Sequence, residues 1–367
     1  MTESRLKTGA DSGHRLYNMD LERVLLIFLV IALHFNNRDM GGALMTMGAG
    51  LSAEIFVRIT QSLAICAVDA FIISAGYFSA RKSETISVPW RKAVWLLLTC
   101  SFYRVVGYLI YSLFITHDFS VRVFCGYIVP NNWFVCLFVT LLLLMPFIDR
   151  VLSAACCGGK DSSGKWLICV LILLFSVVPT FVSLSGDLAG VNLNGLSTVT
   201  WQGDAAGFNI SLFILCYCIG FALHAHRDYW DRFSAGFYLA MYLLGACLTA
   251  ALSKLTEGAW HYSCVTVVFE AVMLTLLFTR IRIHGDGAGR VIAAVSGCSL
   301  GIFIWHTMPL MFIGLWSRFD ISGAAATPRM IPVFLGATLA MYGLSFVWVF
   351  VIRLISAPLH RMFTGRR

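Results

Sequence analysis

Ten apolar runs, each close to the length needed to cross a bilayer, divide this chain: 21–37, 61–80, 93–115, 133–149, 166–184, 209–225, 235–252, 262–281, 291–314 and 331–355. A helix rises ~1.5 Å per residue, so roughly 20 apolar residues cover a hydrocarbon core of ~30 Å. No water is available there to satisfy backbone N–H and C=O groups, so each run must close its own hydrogen bonds as a helix. The pattern predicts an all-α polytopic membrane protein, a bundle of about ten transmembrane helices. Composition supports this: 59% of the 367 residues are hydrophobic and only 13% are charged, against roughly 25% charged in an average soluble domain. A soluble enzyme, a disordered chain and a disulfide-stapled secreted domain are all excluded.

Charge sets the expected orientation. With the N-terminus in the cytoplasm and sides alternating, twenty of the 27 lysines and arginines fall on the cytoplasmic side and six on the other, with Arg104 inside the third run. By the positive-inside rule both termini are cytoplasmic. The net charge of +8 is read as this anchoring, and no basic block with interleaved aromatics suggests a nucleic-acid partner. The expected plan is a cytoplasmic tail over 1–19, one membrane domain over 20–356 and a basic cytoplasmic tail over 357–367. The first helix reads as an uncleaved signal anchor. The twelve cysteines are scattered, with no C-x-x-C pair, and no metal site is expected. The outer segment 185–208, charged only at Asp187 and Asp204, reads as a polar lid or wall.

Ionisable groups inside apolar runs are costly and are functional candidates by default. Arg23 and His34 stand eleven residues apart in the first run, which puts them on one helix face with His34 ~16 Å deeper. An imidazole is the side chain best suited to act as a base near neutral pH. Asp69, in the second run, needs a partner at that depth, His34 or an arginine. Arg81, Lys82, Arg91 and Lys92 flank the second cytoplasmic loop and suit a phosphate-rich ligand as well as they suit anchoring. Arg104 lies more than two turns into the third helix and should face the bundle interior. Asn132 and Trp133 open the fourth helix, His306 sits in the ninth, and Glu270 is a further buried acid in the eighth.

Taken in order, these residues resemble the acyltransferase-3 family of membrane acyltransferases. The first-helix pattern D-x-x-R-x10-H appears as Asp20, Arg23 and His34; an acid followed by an apolar stretch and S-G-Y appears as Asp69 to Tyr77, interrupted by Ala75. Trp133-Phe134 and Pro146-Phe147 match the two ends of the fourth helix, and Ser299, Gly301-Ile302-Phe303 and His306 match a late S-x-G-I-F-x-x-H element. The family's R-x-x-R at the start of the third helix is not intact, because Val94 follows Arg91 by three.

The resemblance implies a cell-membrane enzyme that moves an acyl group, usually acetyl, from cytoplasmic acyl-CoA to a hydroxyl of a glycan or glycolipid, with no permanently bound cofactor. On that reading His34, Asp69 and Arg23 are the catalytic residues, with His34 the general base or a transient acyl carrier and Asp69 orienting it, while Arg91, Lys92, Arg81, Lys82 and Arg104 bind the donor, its phosphates resting on the basic cluster near Arg23. Arg104 would balance charge developing on the thioester oxygen, while Trp133, Asn132 and His306 border the acceptor. A multi-pass transporter or flippase is the alternative, since buried charges can also line a translocation path. No inverted repeat or matched pair of broken helices supports it.

Overall fold

The computed structural model describes residues 16–79, 86–157, 163–308, 311 and 314–364, with side chains described as far as 355. Arg81 and Lys82 lie outside the described residues. The bundle is built from α1 (Tyr17–Asn36), α2 (Leu51–Ile65), α3 (Ala67–Ser79), α4 (Trp90–Ile110), α5 (Val121–Ile128), α6 (Trp133–Cys157), α7 (Ser163–Ile172), α8 (Val178–Ala189), α9 (Ile210–Ala225), α10 (Ala235–Leu252), α11 (Val265–Arg280), α12 (Asp286–Ser296), α13 (Ser299–Trp305) and α14 (Met330–Thr364), with short helical turns between them. Among the described residues there is no strand, only one isolated bridge between Thr200 and Gly203. The protein is an all-α polytopic membrane protein.

Among the described residues each of the ten apolar runs is mainly helical. Eight stretches of them are long and apolar enough to cross a membrane, and Ile210–Ala225 is a shorter apolar helix. The remaining run is α1, whose 20 residues carry Asp20, Glu22 and Arg23 in their first two turns and reach ~30 Å.

Two boundaries depart from expectation for physical reasons. The second span starts at Leu51, ten residues before its apolar run, because Arg58 Nε donates to Glu54 Oε1 at 2.8 Å one helical turn away. The pair lets charged residues continue the helix. The ninth run is not one helix: it breaks at Gly297-Cys298 and its second part ends at Trp305. His306 is therefore the C-terminal cap of α13 rather than a mid-helix residue.

Antiparallel and parallel registers can be read from polar contacts. Glu22–Ser74 and Asn36–Thr60 set α1 against α2–α3. Asn18 Nδ2 donates to the Phe278 carbonyl at 2.9 Å, which sets α1 against α11. Ser296 Oγ donates to Asp20 Oδ1 at 2.8 Å and Gly289 lies against the Tyr17 ring, so α12 runs alongside α1 in parallel. The start of α1, the ends of α3 and α11 and the start of α12 thus share one end of the bundle, called here the Tyr17 end.

The tightest helix pair is α3 with α9. A Cβ on Gly220 would stand 2.0 Å from the Ile73 carbonyl oxygen, and one on Gly76 would stand 2.1 Å from that of Tyr217. Small residues permit this approach, as in other membrane helix pairs. The obstructing atoms are backbone, so they cannot swing aside. We expect Gly220→Val to cost well over the ~1–3 kcal/mol of ordinary overpacking. Thermal unfolding of the purified variant in detergent checks this, and an unchanged melting temperature would contradict the close approach.

Candidate active site

Helix α1 buries Val30, Ile31, Ala32, Leu33 and Phe35, while His34 among them stays half-buried. Its ring is turned into the bundle: it stacks on His306, with centroids 4.7 Å apart and planes 25° from parallel. His306 is almost fully buried. His34 Nδ1 and His306 Nε2 are 2.7 Å apart, and His306 Nδ1 lies 2.9 Å from the Ile302 carbonyl oxygen.

These three groups fix the protons when both rings are neutral. A carbonyl oxygen can only accept, so His306 Nδ1–H donates to Ile302. His306 Nε2 is then an acceptor, and His34 Nδ1–H donates to it. The remaining lone pair of the pair sits on His34 Nε2. That assignment follows from the hydrogen-bond chain, since hydrogens themselves are inferred. It leaves one imidazole nitrogen free to take a proton.

Asp69 is not brought to this ring. The register set by Glu22–Ser74 and Asn36–Thr60 places Asp69 level with Ile27, seven residues or ~10 Å along α1 from His34. The α1–α11 register puts Glu270 at nearly the same depth, and the Asp69 and Glu270 carboxyls act on each other electrostatically. Both are buried to 1% exposure or less. Among the described residues Asp69 Oδ2 and Glu270 Oε2 have no hydrogen-bond partner, and Glu270 Oε1 accepts from Thr249. Glu22, fully buried one and a half turns nearer the Tyr17 end, accepts from Ser74 Oγ at 2.7 Å. The sequence reading missed Glu22 because it sits beside Arg23 at the edge of a run. The group hydrogen-bonded to His34 is His306, from 272 residues away, rather than Asp69.

Arg23 does not reach the imidazole either. Eleven residues of one continuous helix separate it from His34, ~16 Å. Its side chain is 45% exposed and lies 3.5 Å from Asp20. Arg91 and Lys92 are exposed at the start of α4, with the Arg91 guanidinium over Trp90 at 5.4 Å. Arg104 is separated from them by at least twelve residues of the same helix, ~18 Å. It is half-buried, donates to the Asn131 carbonyl at 2.9 Å and lies over the Tyr127 ring at 5.0 Å. It therefore secures the segment that joins α5 to α6.

Asn132 Oδ1 accepts from Val135 N at 3.1 Å and caps α6. Trp133 packs between Phe208, at 4.5 Å, and Tyr262, at 5.9 Å. Its neighbour Phe134 meets Phe303 at 5.0 Å, and Phe303 meets His306 at 6.0 Å. An aromatic wall thus runs from Trp133 to the histidine pair.

Among the described residues no group of three or more His, Cys, Asp or Glu is placed to hold a metal ion. A family model described as an acyltransferase domain matches residues 16–353, which spans every candidate site residue. No curated protein and no solved structure matches the chain.

Proposed function

Since the chain belongs to the acyltransferase-3 family and is an acyltransferase, we propose that it takes an acyl group, acetyl in the first instance, from acyl-CoA and places it on a hydroxyl of a cell-surface glycan or glycolipid. The observation that carries this reading is the His34–His306–Ile302 hydrogen-bond chain, which leaves the Nε2 lone pair of a half-buried imidazole unused. Both termini are cytoplasmic on this reading, so the Tyr17 end receives the donor.

The chemistry is direct. An acceptor hydroxyl hydrogen-bonds His34 Nε2. As its oxygen attacks the thioester carbon, its proton passes to that nitrogen, and the tetrahedral adduct collapses by breaking the C–S bond. The leaving thiolate takes the proton back, giving an ester and free coenzyme A thiol. His306 accepts from the other nitrogen of His34 throughout and keeps it in the working tautomer, the task the carboxylate performs in a serine-protease triad. The alternative route, an acyl-imidazole on His34 Nε2, uses the same free nitrogen.

Donor placement follows from length. Arg23 lies ~16 Å along α1 from His34, a distance that the slim pantetheine arm can span while the phosphates stay at the Tyr17 end. The exposed guanidinium of Arg23 and the exposed Arg91 and Lys92 are cations suited to those phosphates. Arg81 and Lys82 belong to the same loop by sequence. Trp133 and its aromatic wall offer apolar faces of the kind that pack on sugar rings.

Mass spectrometry of surface glycans from cells with and without the gene tests this. An ester-sized mass present only with the gene names both donor and acceptor. Identical glycan masses, with no coenzyme A release by the purified protein, would reject the reading.

A further inference from the structure

Helices α7 and α8 run on as one span of 27 residues, Ser163–Ala189, ~40 Å long. Ser79 Oγ donates to Asp149 Oδ2 at 2.5 Å, so α6 finishes at the Tyr17 end and the next span finishes, at Ala189, at the opposite end. A hydrocarbon core of ~30 Å takes about 20 residues of it. Wherever the core sits along the span, its far face lies between residues 183 and 189. Ser176 is therefore ~10–20 Å below that face.

The loops at this end return into that depth. Val191 N donates to the Gly186 carbonyl at 3.0 Å. Seven residues later Thr198 Oγ1 donates to the carbonyl of Leu174, which lies ~18 Å back along the span from Gly186. From the other side, Ser176 Oγ donates to the Ser263 carbonyl at 2.9 Å and Val265 N donates to Thr180 Oγ1 at 2.9 Å. Tyr262 N donates to the Ala206 carbonyl at 3.0 Å and ties the two returning loops together. Helices α9 and α11 thus begin inside the slab. This accounts for the shortness of α9, whose 16 residues reach only ~24 Å. Where the two helices begin, Phe208 and Tyr262 meet Trp133 and form an aromatic floor.

Irregular backbone at this depth needs partners. Residues 188–203 carry no charge and form only the short turn Asn194–Leu196 and the bridge between Thr200 and Gly203. Among the described residues nothing donates to the carbonyls of Leu196, Ser197, Thr198 or Val199. Lipid offers no donor, so such backbone is tolerated within the slab only where it is buried in protein or lines water. Leu196 and Thr198 are exposed, which leaves water. The neighbouring side chains suit it: a cleft of about 420 Å³ between α8 and the loops is lined in part by Ser183, Asn192, Asn194, Ser197 and His261, groups that both donate and accept.

We propose that the end of the bundle opposite Tyr17 holds a water-filled vestibule, recessed ~10–20 Å into the membrane between α8 and residues 191–209 and 256–264, through which small hydrophilic molecules from the aqueous phase on that side enter the slab. The segment expected as a polar lid is the recessed wall of this vestibule. The vestibule follows from the spans and the returning loops and does not depend on the acyltransferase reading.

Hydroxyl-radical footprinting of the full chain in nanodiscs, read by peptide mass spectrometry, tests this with matched pairs. Leu196 and Leu173 are 61% and 50% exposed, and Phe208 and Phe181 are 45% and 64% exposed. Leu173 and Phe181 lie on the span itself and face lipid. Leu196 and Phe208 should be oxidised roughly tenfold faster than Leu173 and Phe181, because only water carries the radical to them. For solute entry, the thiol of Ser197→Cys should be modified by a charged methanethiosulfonate, while native Cys169, exposed on the same span, is not. Leu196 or Phe208 as slow as its lipid-facing partner, or an unreactive Ser197→Cys thiol in folded protein, overturns the vestibule. Leu173 and Phe181 oxidised as fast as the loop residues would also overturn it, by taking α8 out of the lipid. The footprint of the wild-type chain decides the matter even where Ser197→Cys does not fold.

Discussion

Replacing His34 by alanine is expected to reduce acyl transfer by at least the ~10²–10⁴-fold that a positioned base contributes, while the protein still inserts and folds. The half-buried ring makes one hydrogen bond, to His306, and its helix is held elsewhere by Asn18, Glu22 and Asn36. Little of the fold therefore depends on it. The measurement is coenzyme A thiol release and acceptor ester formation by purified wild-type and variant protein, with monodispersity and thermal unfolding recorded alongside. Transfer at the wild-type rate by a folded His34→Ala protein would falsify the mechanism. A lysine or glutamine in its place should not restore activity, because neither offers a neutral ring with a basic lone pair on one nitrogen and a proton on the other.

The second large effect is expected at His306, which on the proposed mechanism positions His34 through their hydrogen bond. Its removal takes away the acceptor for His34 Nδ1–H, so the ring can turn or adopt the tautomer whose Nε2 carries the proton. Losing the group that holds an imidazole in its tautomer costs roughly 10²- to 10⁴-fold in kcat in other enzymes. His306→Ala should show that loss with the KM for the donor unchanged, since the donor's charged end lies at the Tyr17 end. His306→Gln places an amide oxygen close to the former Nε2 position and should recover much of kcat. A merely structural His306 would give parallel losses of folded protein in both variants and no recovery with glutamine.

Asp69 makes a useful contrast. Its orphaned Oδ2 and its depth beside Glu270 assign it to a buried acidic layer ~10 Å from His34. Asp69→Asn keeps the shape and removes one ionisable group from that layer. Transfer should therefore fall far less than in His306→Ala, as checked in the same thiol-release assay.

Much of this protein is local in origin and could be read along the chain. The ten runs became helices because lipid leaves the backbone no other partner. The one-face relation of Arg23 and His34 holds because both lie on one uninterrupted helix. The second span's early start was hidden because hydropathy counts Glu54 and Arg58 as two charges, whereas one turn apart they form a pair. The break at Gly297-Cys298 was hidden inside a run that is apolar on both sides of it. The sequence places His306 within the membrane but not beside His34, and leaves Asp69 as a candidate partner of that ring; the structure puts His306 against it.

By itself, the sequence determined that the chain is helical, crosses a membrane many times and carries an arginine and a histidine on one stripe, because each of these depends on neighbours within a few turns. Only the tertiary structure decided which polar group meets that histidine. A helix turns ~100° and climbs ~1.5 Å with each residue, so sliding one helix past another by a few positions exchanges one partner for the next. That register is set by packing between segments more than 270 residues apart, such as Asp20 with Ser296 and His34 with His306.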